Sequence, residues 1–125
     1  GVITMTKEQI EIAKLEVSSK TGGEHFHDDC IRIVYEWLDA QKKRGTNNRD
    51  IRGIKHLVER WANRYVSRDD VVVAAHMHPD ITGEYPHFNI STNLIEPSFE
   101  RLKNIKEAFT GRMGEHNSFE YKYKE

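Results

Sequence analysis

Two short stretches concentrate side chains that can bind metal or act as nucleophiles: EHFHDDC at residues 24–30 and HMHP at 76–79. His25, His27 and Cys30 have the donor types of a zinc site, and so do His76, His78 and His87. On a strand, residues two apart share a face, so His76 and His78 could grip one ion. On a helix they diverge by about 200° and could not. His27 and Cys30 are three apart, which one helical turn can bridge, and the spacing imitates a cysteine–histidine nucleophile pair. Cys30, however, falls on an apolar stripe with Ile33, Val34 and Trp37, where a thiol is normally inert. It is the only cysteine in the chain, which rules out an internal disulfide and an all-cysteine zinc site. The carboxylate pairs Asp28-Asp29 and Asp69-Asp70 each open an expected helix, where the helix dipole accounts for them. No glycine-rich phosphate loop, nucleophile elbow or HExxH motif is present. The residues therefore point away from an enzyme, with no metal and no cofactor; a small metal-binding protein is a minor alternative.

The cations are unevenly placed. Residues 41–64 carry eight cations and two anions, a net +6, in a chain whose total is −1, so the remainder carries −7. Such a basic segment on an acidic protein suits a phosphate backbone. Arg44, Arg49, Arg52, Lys55, Arg64 and Arg68 are the candidate contacts to double-stranded DNA. The segment NRYVS, residues 63–67, has the length of the turn in a helix-turn-helix, with a recognition helix expected from Arg68. Against this, Asp69 and Asp70 would face phosphates, and the apolar run Val71–Ala75 is ill suited to reading bases.

Aromatic rings support a different reading. Tyr85, His87 and Phe88 fall in GEYPHFNIS, an expected loop or strand edge, and exposed rings of that kind anchor protein interfaces. Closing the end of the core is the plainer role for them.

The elements that must position these groups are mostly helical. Thr6-Lys7-Glu8-Gln9 forms a capping box that opens a helix to about Lys20. Phe26, Cys30, Ile33, Val34, Trp37 and Leu38 recur at helical spacing, which predicts a helix over 24–43. Asp50 can cap a third helix carrying Ile51, Ile54, Val58 and Trp61, weakened by Gly53 by up to ~1 kcal/mol. Ser67-Arg68-Asp69-Asp70 is a second capping box. The three valines after it favour a strand, while the cap and the alanines favour a helix; helix is the expectation, closed by Pro79. A short strand is expected at 87–91. Pro97 can open a last helix with Phe99, Leu102, Ile105 and Phe109. Phe119, Tyr121 and Tyr123 alternate, as in an edge strand.

The fold expected is thus mainly α with a short β element, arranged like a helix-turn-helix or winged helix. Residues 1–22 form an N-terminal helix or arm, 23–110 a globular domain and 111–125 a mobile tail or edge strand. No run is apolar enough to span a membrane and no signal-like pattern is seen, so a cytoplasmic protein without a membrane partner is expected. A homodimer is compatible with this reading.

Residues 51–105, above all IKHLVERWANRYVSRDDVVVAAHMHPDITGEYPHFNIS, resemble small uncharacterised proteins encoded by tailed phages and prophages. The resemblance implies a bacterial cytoplasm and a part in the phage–host relationship, either as a regulator of transcription or as an inhibitor of one host protein. DNA-binding regulator is the first expectation and a non-enzymatic inhibitor or adaptor the second.

Overall fold

The computed structural model describes residues 6–18, 27–47, 53–112 and 120–125. These residues are mainly α with short β elements: α1 (Lys7–Glu16), α2 (Asp28–Ala40), α3 (Ile54–Ala62), α4 (Arg68–Met77), β1 (Gly83–Glu84), β2 (His87–Phe88), β3 (Ile95–Glu96), a 3-10 helix (Phe99–Leu102) and β4 (Tyr123–Lys124).

Helix α2 is the centre. Cys30, Ile31, Ile33, Val34, Trp37 and Leu38 are fully buried on it, so it is enclosed on more than one side. Its main partner is α4, with α1 and α3 packed beside the pair. The helix is shorter than the expected 24–43. His27 is its N-cap, with Nδ1 accepting from the Asp29 amide at 3.0 Å. Lys42, Lys43 and Arg44 lie beyond its end, yet Lys43 still donates to the Asp39 carbonyl at 2.6 Å and so serves the last turn from outside. Phe26 lies outside the described residues.

Both capping boxes form. Thr6 and Gln9 exchange bonds at the start of α1, and Ser67 and Asp70 do so at the start of α4. The valine run is helical. Val71 and Val73 are buried with Ala74 and Ala75, and the helix stops before Pro79. Helix α3 departs from expectation at its start. Gly53 is not a weak interior residue but the N-cap, held at φ 71° where a side chain is strained; Asp50 lies outside the described residues. Asn63 ends α3 in the left-handed region at φ 48°. The last carbonyls of α3 then receive amides from far along the chain: Phe109 N–H reaches the Ala62 oxygen at 2.6 Å, and Gly111 N–H the Asn63 oxygen at 2.7 Å.

Strands β1 and β2 form an antiparallel hairpin with Gly83 opposite Phe88. Gly83 sits at φ 97°, and a Cβ there would collide with the His87 carbonyl. Buried Asn89 ties the hairpin base down, accepting from Thr82 N–H at 2.8 Å and donating to the carbonyls of Arg44 and Asp80. The helix expected from Pro97 is only a 3-10 helix followed by turns, N-capped by Ser98. Leu102 is buried, but Phe99 and Phe109 stay half-exposed, so no continuous apolar stripe drives an α-helix. The tail does supply an edge strand: β4 pairs in parallel with β3. On its other side β3 meets the Gln41 amide, which bonds both the N–H and C=O of Ile95.

Candidate functional site

Residue by residue, the candidate cations separate. Arg49 and Arg52 lie outside the described residues. Lys55 is paired with Glu59 at 2.7 Å, and its ammonium stands 4.4 Å from the Tyr65 ring centre. Arg64 donates to the Tyr65 carbonyl at 2.9 Å and lies 3.5 Å from Glu107. Arg60 pairs with Glu120 at 3.0 Å. Arg44 and Arg68 are exposed. Arg68 is brought to the other candidate set: its guanidinium rests 5.4 Å from the Tyr85 ring centre.

That contact closes one end of a groove of about 400 Å³ between α4 and the β1–β2 hairpin. The outward strip of α4 is Arg68, Val72 and His76, spaced one turn apart. Val72, Ala75, Ile81, Val17 and Phe88 make an apolar floor, with Arg68, His76 and Glu84 on the rim. Tyr85 is half-buried and meets Phe88 edge-on at 6.3 Å. Phe88 is not an exposed anchor; at 2 % exposure it is the support beneath Tyr85. His87 is exposed beside them. Sequence reasoning missed Val72, Ile81 and Val17 as groove residues. Val72 was legible in principle, because it stands one turn from both Arg68 and His76, yet it lies inside a run of valines that otherwise belongs to the core.

The chemically loaded side chains elsewhere are occupied in holding the fold. His76 and His78 do diverge on the helix. His76 faces Glu16 at 3.5 Å, whereas His78 Nε2 meets Asp39 Oδ1 at 2.8 Å. His78 Nδ1 accepts from the Asp80 amide, so Nε2 carries the proton it gives to Asp39. With a side chain only 2 % exposed, His78 has no access for a substrate. Asp39 also receives Arg101 at 3.0 Å, and Arg101 reaches Glu36 at 2.9 Å and Glu125 at 2.5 Å. Burial pushes the Asp39 carboxyl up, but bonds from His78 and Arg101 outweigh it and hold it below its ordinary range. For Glu36, burial wins over Arg101 and the carboxyl is raised. Burial also pushes the Cys30 thiol up to about 12, and its sulfur points at the Tyr65 carbonyl, 3.5 Å away. Among the described residues no three His, Cys, Asp or Glu side chains converge on one point; His25 lies outside them. No helix among them is long and apolar enough to cross a membrane.

No family model, curated protein or solved structure matches the chain.

Proposed function

We propose that this protein is a non-enzymatic binding module of the phage inhibitor or adaptor kind, and that it docks a host protein through the groove between α4 and the β1–β2 hairpin. The observation that carries this reading is the groove itself: an apolar floor with Arg68 exposed at its rim, stacked on the half-buried Tyr85. Interface hot spots are enriched in tyrosine and arginine set in pockets of this kind. Tyr85 and His87, chosen as partner contacts, lie at or beside the groove. The test is copurification from a bacterial lysate followed by reconstitution with the purified partner. Wild-type protein should form a stoichiometric complex, and Arg68→Ala with Tyr85→Ala should weaken it at least tenfold, as truncation of hot-spot residues does. A partner bound equally well by the double variant would remove the groove from the reading.

DNA binding is the second reading. It is favoured by the consecutive helices α3 and α4, the left-handed Asn63 in their connection, the hairpin that follows in the place of a wing, and the basic segment at 41–64. Its weak point is the outward strip of α4, which offers one arginine, a valine and a histidine to a groove. A salt titration of duplex binding is the test. Each phosphate contact adds about 0.9 to the slope of log K against log salt, so loss of Arg44 and Arg68 should flatten the slope by roughly two contacts.

A further inference from the structure

We infer that the exposed rings of Phe99 and Phe109 form a platform on which bases of a single-stranded nucleic acid stack, with Lys103, Lys106 and Arg112 holding its phosphates. The site goes beyond the groove reading, since none of these residues lines the groove between α4 and the hairpin. Phe99 is 47 % and Phe109 52 % exposed. Their ring centres lie 5.9 Å apart at 55°, and Phe99 is itself stacked on Trp61 at 6.4 Å and 18°. Trp61 is buried and its indole N–H donates to the Pro97 carbonyl at 3.1 Å, so the ladder of rings has a fixed base. At the other end the Phe109 N–H pins that residue to the Ala62 oxygen.

The backbone is strained where it presents Phe109. Its φ is 65°, a region that suits glycine or asparagine and is an outlier for a bulky side chain. Half of the residue nevertheless stays in solvent, so core burial does not account for a ring at this position. Strain held beneath an exposed side chain is a mark of a binding surface. The surrounding charge says what binds. Between 99 and 112 the exposed charges are Lys103, Lys106 and Arg112, against Glu100 alone. Glu107 is engaged by Arg64, and Arg101 by Glu36, Asp39 and Glu125. Among the described residues the three cations have no ion-pair partner. Lys106 and Arg112 are each three residues from Phe109, at most roughly 11 Å of chain, and Lys103 is four from Phe99, at most roughly 14 Å. A single strand brings both flat faces and regular negative charge to such a surface. An acidic peptide answers only the charge, and a duplex keeps its bases stacked on one another and offers their edges.

The probe is a fluorescein-labelled oligothymidine of about 12 nucleotides, followed by anisotropy at low salt. The protein should bind it. Phe109→Leu keeps an apolar side chain but removes the ring, and should weaken binding about fivefold or more, the scale of one base–aromatic stack; Phe109→Trp should retain it. Replacing Lys103, Lys106 and Arg112 with Ala should flatten the slope of log K against log salt by about 2, at about 0.7 for each phosphate contact on a single strand. Circular dichroism melts check that the variants stay folded. A strand of the same length without bases needs no variant, and should bind the unaltered protein as weakly as oligothymidine binds Phe109→Leu. No binding at low salt, a base-free strand bound as tightly, or indifference to Phe109→Leu overturns the inference. So does a duplex or a polyglutamate peptide that competes as well as the oligothymidine. Arg68→Ala with Tyr85→Ala should bind the strand normally; a loss there would put the strand in the groove and overturn the platform, whereas the host-protein reading stands or falls on its own reconstitution.

Discussion

Trp37 shows how much one residue can contribute and how much of its role is local. Its place on the apolar stripe with Cys30, Ile33 and Val34 follows from helical spacing alone, and it is fully buried. Its indole N–H, by contrast, meets the Tyr121 hydroxyl at 3.1 Å, a partner no periodicity announces because it arrives from the tail. Trp37→Ala should cost ~3–5 kcal/mol in a denaturant melt; an unchanged midpoint would contradict its burial. The carboxylates around Arg101 make a second residue-level test. Hydrogen bonding to Arg101 outweighs burial at Glu125 and lowers its carboxyl, and Asp39 is lowered as well. A lowered folded-state value contributes stability that is present above the unfolded value of about 4 and is lost as pH falls through the folded one. Glu36, raised by burial, acts oppositely: its contribution is present below the unfolded value and is lost as pH rises through the folded one. The stability that Glu125 contributes should be lost as pH drops below about 4, and Glu125→Gln should make the acid limb of the melting-temperature curve shallower than the parent's. Identical acid limbs for the variant and the parent would dismiss the network as a source of acid sensitivity.

At the scale of elements, local chemistry was legible where the hydrogen bonds are local. The Thr6–Gln9 and Ser67–Asp70 boxes can be seen in four consecutive letters because their partners are three residues apart. Gly53 is the counterexample. Its letter permits either a weak helix interior or a left-handed cap, and only the backbone angle decides. Gly53→Ala is therefore expected to destabilise by ~1–2 kcal/mol, although open space surrounds the position and nothing would clash with a methyl group. A gain in thermal stability would restore the interior reading, in which alanine is worth up to ~1 kcal/mol over glycine. The helix expected after Pro97 failed for a related reason. Four apolar letters at helical spacing do not make a helix when Phe99, though stacked on Trp61, and Phe109 both stay half-exposed.

At the scale of the whole molecule, the mainly α architecture was legible but the groove was not, because its walls come from the end of α1, from α4 and from the hairpin. Tertiary docking set the Arg68, Val72 and His76 strip, regular on its own helix, against residues of α1 and the hairpin that share no spacing with it. The tail strand is likewise a product of the assembled fold: residues 120–125 place Tyr121 against Trp37, bond Lys122 and Tyr123 to the Leu94 carbonyl and set Glu125 on Arg101. At roughly 0.5–1.5 kcal/mol for each of these four hydrogen bonds, removing residues 120–125 should cost about 2–6 kcal/mol in urea unfolding. A truncated chain as stable as the parent would mean the tail only rests on the surface. The remote amides that finish α3 also bear on how quickly the chain reaches this fold. Because the Ala62 and Asn63 carbonyls wait for Phe109 and Gly111, the end of α3 is completed only after a long loop closes, and that closure is entropically uphill until its contacts form. Helix-rich chains usually collapse fast because their contacts are near neighbours. Here the rate-determining event is expected to be a distant encounter, so refolding followed by tryptophan emission should be slow for so helical a chain, and changes at Phe109 or Gly111 should retard it more than changes within α1.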